Sequence, residues 1–94
     1  DVALLPAPFG LSEARAAIAS LRGAKLLAGV RGAGPADVEA LADLLVRLGV
    51  FAADHADRIA EVDLNPVIVH AAGTGLTLAD ALIVTRPSGV SGRG

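Results

Sequence analysis

The sequence predicts an α+β fold with the element order β-α-α-β-β, in which two helices pack on a small, mainly antiparallel sheet. Two stretches carry apolar residues three and four positions apart, and the stretch after them changes to an alternation of apolar and polar residues. Hydrophobic residues make up 53% of the 94 residues, but aromatic residues only 2%. A core of small aliphatic side chains suits helices that lie close to a sheet.

The chain is predicted to begin with a short strand and a first helix. Residues 2–5 are expected to form a strand that ends at Pro6, because proline cannot donate a hydrogen bond to a strand partner. Ser12 is expected to cap the helix that follows, and Gly23 to end it in a left-handed conformation. The first helix is therefore placed at about residues 12–22.

A longer helix is predicted after a glycine-rich stretch. Pro35 and Asp37 favour a helix start, since proline is tolerated in the first turn and an aspartate there complements the helix dipole. The predicted apolar stripe has the spacing of a helix packed on one side; it comprises Val38, Leu41, Leu45, Leu48 and Ala52.

The second half of the chain is predicted to form a β-hairpin. From Ile59 the residues alternate with period two, and Pro66 is expected to end or bulge that alternation. AAGTG, residues 71–75, has turn composition, and the nearly apolar LTLADALIV after it is predicted to be the returning strand. Residues 87–94 lack apolar periodicity and are expected to be a flexible tail.

Composition argues against several functional classes. The net charge of -2 and the scattered basic residues give no surface suited to nucleic acid. The chain has no cysteine, which excludes disulfides, zinc-thiolate sites and a cysteine nucleophile. Asp43 and Arg47 interrupt the longest apolar run before it reaches the roughly 20 residues of a membrane span. We therefore expect no membrane association and a cytoplasmic location.

The chain is expected to be a piece of a longer protein. It begins with Asp1, contains no methionine, and offers too few strands to close a sheet. A core this small is marginal, because a domain of this size buries only about 60–65% of its unfolded surface. We therefore expect the isolated chain to self-associate or to expose apolar surface.

The strand EVDLNP carries the sharpest chemical signal. Side chains two apart in a strand share a face, so Glu61, Asp63 and Asn65 place three oxygen-bearing groups within about 13 Å. Such groups suit a hard cation such as magnesium. Phosphate and water usually supply the other ligands of the magnesium octahedron. The alternative is an ordinary polar face on an exposed edge strand.

Asp80 strengthens the magnesium interpretation. It interrupts an apolar strand, where an ionised carboxylate facing a core is costly unless it is paired, hydrogen-bonded or bound to metal. If residues 71–74 form a four-residue turn, Asn65 and Asp80 lie directly opposite with Cβ atoms about 5 Å apart. In the alternative, backbone amides or an arginine such as Arg58 satisfy Asp80.

The loop GVRGAG is a weaker signal. Backbone amides of such a loop can cradle phosphate, and Arg31 can pair with one. Neither a Walker A spacing nor a dinucleotide-binding glycine pattern is present. A plain connecting loop is the alternative.

Three segments in this order and spacing, LRGAKLLAGVRGAGPADVEAL, AEVDLNPVIVH and GLTLADALIV, resemble the end of the ATP-grasp domain in NDP-forming acyl-CoA synthetases. The resemblance covers about residues 1–85, and its most specific part is the E-x-D-x-N-P strand followed by an Asp-Ala strand. The β subunit of succinyl-CoA synthetase is similar. The resemblance implies that residues 1–86 are the C-terminal portion of an ATP-grasp fold.

The resemblance also implies a reaction and roles. Such enzymes interconvert acyl-CoA, phosphate and ADP with acid, CoA and ATP through a phosphohistidine on another domain. By position, Asn65 and Asp80 match magnesium ligands of the bound ATP or ADP, and Asp63 matches the acidic residue that faces the phosphohistidine. Glu61 and Arg31 match nucleotide contacts. One departure is the small Ala preceding Asp80, where the family usually has a bulkier β-branched residue.

The implied partners are the remaining ATP-grasp and CoA-binding domains or subunits, with CoA and a carboxylic acid as substrates. The chain is expected to be inactive alone, because the groups that hold adenine and accept the phosphoryl group are absent from it. The alternative is a non-catalytic ATP-grasp module that senses nucleotide or directs assembly, for instance in an acetyltransferase fusion.

Overall fold

A computed structural model describes residues 4–21 and 34–87 and confirms the α+β class. Two helices are followed by four short strands. Their bounds are Leu11–Ser20 for α1, Val38–Asp54 for α2, Ile59–Leu64 for β1, Val67–Val69 for β2, Leu76–Leu78 for β3 and Ala81–Thr85 for β4.

The first elements differ from the prediction. Leu4 and Leu5 belong to no strand, and the other residues of the predicted first strand lie outside the described ranges. Helix α1 begins one residue early, with Gly10 rather than Ser12 at its N-cap. The Glu13 carboxylate accepts a hydrogen bond from the Gly10 N–H at 3.0 Å. This contact satisfies an N–H at the helix start without a serine cap.

The predicted start of the longer helix is confirmed. Asp37 is the N-cap of α2, and its Oδ1 accepts a hydrogen bond from the Ala40 N–H at 3.0 Å. The predicted apolar stripe is half-buried along its whole length. The predicted C-cap Gly23 and the glycine-rich stretch at residues 25–33 lie outside the described residues.

The core of the described residues lies between the two helices. Ala14, Ile18 and Ala42 are its fully buried members, and small side chains at two of the three positions allow the helices to approach closely. Larger side chains surround them: Phe9, Val38, Leu41, Leu45 and Val46.

An exposed ion pair also joins the helices. The Arg15 guanidinium donates to both carboxylate oxygens of Glu39, at 2.6 and 2.9 Å. This contact lowers the pKa of Glu39 and raises that of Arg15. Because the two side chains are 49% and 63% exposed, we expect little stabilisation from the pair.

Gly49 provides a test of this packing. A Cβ added there would lie 2.9 Å from Phe9 Cε2, which is too close for a carbon contact. Alanine at an ordinary helical position stabilises by about 1 kcal/mol relative to glycine. At this site we expect Gly49→Ala to destabilise instead, by about 1 kcal/mol, because the ring must move out of the packed interface. Chemical denaturation measures the change.

The matched control is the same substitution in a Phe9→Leu background, where the smaller side chain leaves room for the new methyl group. There Gly49→Ala should become neutral or stabilising. A Gly49→Ala protein that is more stable than the wild type would show that the Phe9 ring does not constrain this helix.

The hairpin is confirmed, with one correction. Strands β1 and β4 pair antiparallel, as do β2 and β3, and Pro66 separates the first pair from the second. The predicted returning strand is two strands, because Ala79 and Asp80 interrupt it opposite Asn65 and Pro66. The break in one strand therefore faces the break in the other, and the register continues across both.

The outer end of the hairpin is largely uncovered. Every residue of β4 is exposed, including Leu82 at 59% and Ile83 at 50%. Large apolar side chains on a strand usually pack on another layer.

Neither helix of the described ranges has both the length and the apolar character of a membrane span. The tail from residue 88 lies outside the described residues.

Candidate functional site

The two acidic residues of the candidate site lie on β1. Glu61 and Asp63 are exposed, and their partners on β4 are Val84 and Leu82. Opposed residues of an antiparallel pair share a face of the ribbon. The carboxylates therefore lie among apolar side chains on an accessible surface.

Asn65 and Asp80 lie opposite each other. The Asn65 N–H donates to the Asp80 carbonyl at 3.2 Å, and the Ala79 N–H donates to the Pro66 carbonyl at 3.1 Å. Regular pairing continues on both sides of this point. The structure thus brings together the two residues that the sequence predicted to be neighbours.

The turn that fixes this register has four residues. The His70 N–H donates to the Gly75 carbonyl at 3.0 Å, which leaves residues 71–74 as the turn. Gly73 and Gly75 have φ angles of 81° and 91°, which suit glycine. A five-residue turn would place Ala81 opposite Asn65, whereas the observed partner of Ala81 is Leu64.

One expectation about Asp80 is wrong. Its side chain does not face a core among the described residues, since it is exposed in the gap between β3 and β4. Its Oδ1 accepts a hydrogen bond from the Ala81 N–H at 2.9 Å, as the backbone-amide alternative expects. An ionised carboxylate offers about four acceptor sites, so this single contact leaves capacity for a ligand.

The donor set fits magnesium bound together with a nucleotide. Within residues 4–21 and 34–87, no group of three or more His, Cys, Asp or Glu side chains is arranged to hold a metal ion. Asn65 and Asp80 offer one amide oxygen and one carboxylate. Magnesium commonly takes one or two protein ligands and completes its octahedron with phosphate and water. Two protein ligands alone would be a partial magnesium site.

Arg31, the predicted phosphate contact, lies outside the described residues. Its role stays a prediction. The structure therefore places four of the five candidate residues, all of them on the hairpin.

Sequence reasoning missed the second role of Asp37. Its Oδ2 accepts a hydrogen bond from the Gly75 N–H at 2.7 Å, and its own N–H donates to the His70 carbonyl at 2.7 Å. The sequence places Asp37 at the start of a helix, but its contact with a turn 38 positions later has no local sequence signal. The helix start and the turn are held by one side chain.

These contacts also act on the ionisation of Asp37. The N–H groups of Ala40 and Gly75 lower the pKa of the Asp37 carboxyl, because they stabilise its ionised form. A lowered folded-state pKa stabilises the fold above the ordinary pKa of an aspartate. That contribution is lost as the pH falls through the lowered value.

Comparisons with known proteins give the chain a family context. A family model described as an ATP-grasp domain matches residues 1–85. The β subunit of acetate–CoA ligase (ADP-forming) II from Pyrococcus furiosus is 38% identical over 86 residues, which cover 92% of this chain and 36% of that subunit. The 4-hydroxybutyrate–CoA ligase (ADP-forming) of Nitrosopumilus maritimus is 40% identical over 83 residues, covering 88% of this chain and 12% of that protein.

Solved structures agree with these relatives. A protein from Pyrococcus horikoshii superposes with a TM-score of 0.80 at 34% identity, over 86% of this chain and 34% of that chain. The dinucleotide-forming acetyl-coenzyme A synthetase 1 of Ca. Korarchaeum cryptofilum, in complex with coenzyme A and Mg-AMPPCP, superposes with a TM-score of 0.77 at 40% identity. That match covers 85% of this chain and 36% of that chain. In that complex the phosphohistidine segment points towards the nucleotide-binding site.

Proposed function

The chain belongs to the ATP-grasp domain family, and we propose that it is the magnesium-nucleotide-binding portion of an ADP-forming acid–CoA ligase. The membership confirms the resemblance inferred from the sequence. In this proposal residues 1–86 are the C-terminal subdomain of the ATP-grasp domain. The larger enzyme interconverts acyl-CoA, ADP and phosphate with acid, CoA and ATP.

The opposed positions of Asn65 and Asp80 are the observation that carries this proposal. The backbones of Asn65 and Asp80 are opposed at the break shared by both halves of the hairpin, so that an amide-bearing and a carboxylate-bearing residue are neighbours there. Two relatives that match most of this chain are ADP-forming CoA ligases. A structural neighbour was solved with Mg-AMPPCP, which supports a magnesium-nucleotide site for this chain too.

Each candidate residue has a proposed role. Asn65 and Asp80 hold magnesium, which when bound neutralises charge on the nucleotide phosphates and orients them for transfer. Asp63 accepts a hydrogen bond from the ring N–H of the incoming histidine, which orients the other ring nitrogen towards the phosphoryl group. Glu61 and Arg31 contact the nucleotide. The histidine belongs to another domain or subunit.

The uncovered hairpin supports the proposed partners. The exposed side chains of Leu82 and Ile83 belong to a strand with no neighbour beyond β1 among the described residues. The chain spans 36% or less of the length of the two ligases compared above. We propose that the remaining ATP-grasp part covers this surface and that a CoA-binding domain or subunit completes the enzyme. Self-association of the isolated chain stays a prediction.

We expect the isolated 94-residue chain to have no acid–CoA ligase activity. It brings a magnesium pair and acidic side chains but lacks a histidine carrier and a CoA site in this proposal. The measurement is ADP release from ATP that depends on both acid and CoA. If the purified chain released ADP in the presence of acid and CoA faster than a protein-free blank, the proposal that other domains or subunits are needed for activity would be contradicted.

The larger enzyme tests the function itself. We expect acetyl-CoA or another acyl-CoA, ADP and phosphate to yield ATP in a strictly magnesium-dependent reaction, with transient phosphorylation of a histidine. Binding of magnesium-nucleotide without ATP formation from any acyl-CoA tested would instead identify a non-catalytic module. A protein that bound no nucleotide would refute both.

A further inference from the structure

The turn of the hairpin is fixed from outside the hairpin. Three hydrogen bonds join the turn and its base to the start of α2: the Gly75 N–H donates to Asp37 Oδ2 at 2.7 Å, the Ala72 N–H donates to the Pro35 carbonyl at 3.0 Å, and the Asp37 N–H donates to the His70 carbonyl at 2.7 Å. The last two are backbone hydrogen bonds and together pair Ala36 with Ala71. We call this set the turn clamp.

The turn clamp acts on the register of the whole hairpin. Residue 70 lies opposite residue 75. Each step back along β2 is matched by one step forward along β3, and the same register leads to Asn65 opposite Asp80. Lengthening the turn by one residue would shift every partner by one. Since side chains alternate between faces, Asp80 would then leave the face of Asn65.

We propose that Asp37 is a positioning residue for the magnesium pair, because it selects the four-residue turn that brings Asn65 and Asp80 together. This inference rests on the proposed function of that pair. Asp37 contacts neither the metal nor the nucleotide and acts only through the register of the hairpin.

The two oxygens of Asp37 allow its two contacts to be separated. Oδ1 caps α2 through the Ala40 N–H, whereas Oδ2 holds the turn through the Gly75 N–H. Serine is a good N-cap but has one short hydroxyl. Asp37→Ser therefore preserves the helix start and removes the side-chain contact with Gly75, Asp37→Ala removes both side-chain contacts, and the two backbone hydrogen bonds of the turn clamp remain in either variant. Asp43→Ser is the matched control, since Asp43 lies on the same helix and pairs only with Arg47 among the described residues.

The experiment combines amide hydrogen exchange with steady-state kinetics on the larger enzyme. The Asn65 N–H reports the register directly, because it donates to the Asp80 carbonyl, and an amide within α2 such as that of Leu45 reports the helix. In Asp37→Ser we expect about tenfold faster exchange at Asn65 with unchanged exchange at Leu45. We also expect a roughly tenfold higher KM for magnesium-nucleotide with a much smaller change in kcat. Asp43→Ser should change neither quantity.

The outcomes separate this inference from the proposed function. Unchanged exchange at the Asn65 amide in Asp37→Ser would overturn the positioning role of Asp37. Faster exchange at Asn65 with an unchanged KM for magnesium-nucleotide would also overturn it. In both cases a magnesium-dependent wild-type enzyme would leave the proposed function standing. A wild-type enzyme without magnesium-nucleotide turnover would remove the proposed function, and this inference with it, while the exchange data would still report the register.

Discussion

Asp80→Asn is expected to raise the magnesium concentration needed for half-maximal nucleotide use at least about tenfold in the larger enzyme. Asparagine keeps the shape and one oxygen but loses the negative charge that a hard cation favours. Even the loss of a partner that only supports a metal ligand commonly costs about 10–100-fold in metal affinity. The measurement is initial rate against free magnesium at saturating nucleotide.

Asp57→Asn is the matched control for this change. Asp57 is an exposed aspartate in the turn between α2 and β1, outside the candidate site, and its substitution removes the same charge. Its magnesium dependence should equal that of the wild type. If Asp80→Asn also retained wild-type magnesium dependence, the contact with the Ala81 N–H would suffice to explain Asp80, and the magnesium assignment would fail.

The parts of the fold that could be predicted have strong local signals. The start of α2 follows from Asp37, whose short side chain reaches an N–H three residues on. The opposition of Asn65 and Asp80 follows from a turn of even length together with the alternation of side chains along strands. The first inference needs only neighbouring residues, whereas the second holds only for a four-residue turn, a condition that the sequence left open and that the contact of Asp37 with Gly75 supports.

Other features depend on contacts that no local pattern carries. Asp37 holds Gly75 across 38 positions, and this contact exists only because the helix start and the turn meet in space. The predicted returning strand was too long for a related reason. Ala79 and Asp80 look like the middle of an apolar strand, but they lie opposite Pro66 and Asn65, and the missing N–H of Pro66 leaves the pairing interrupted.

The accessibility of Asp80 shows a limit of burial arguments from sequence. An apolar run such as LTLADALIV predicts a covered strand, yet β4 is exposed on both faces in the residues described here. The apolar pattern is explained if protein beyond this chain covers it, as the proposed partners would. The same assembly would set how much of the Asp80 carboxylate reaches solvent.

Asp63→Asn is expected to lower kcat about 100-fold or more in the larger enzyme, with little change in the KM for magnesium-nucleotide. In the proposed role, the Asp63 carboxylate orients the incoming histidine, a contact made only when that segment reaches the nucleotide. Positioned groups that hold a proton or a partner during transfer commonly contribute 10²–10⁴-fold. Single-turnover formation of phosphohistidine from ATP should slow by the same factor.

Glu61→Gln is the matched control for Asp63→Asn, because Glu61 lies two residues away on the same face of β1 and carries the same charge. In the proposed role Glu61 contacts nucleotide, so its substitution should raise the KM for nucleotide and leave histidine phosphorylation at saturation nearly unchanged. Opposite kinetic signatures from two neighbouring carboxylates would separate nucleotide binding from histidine orientation. Equal, small effects from both would mean that the acidic face of β1 is only a polar surface, the alternative that the sequence left open.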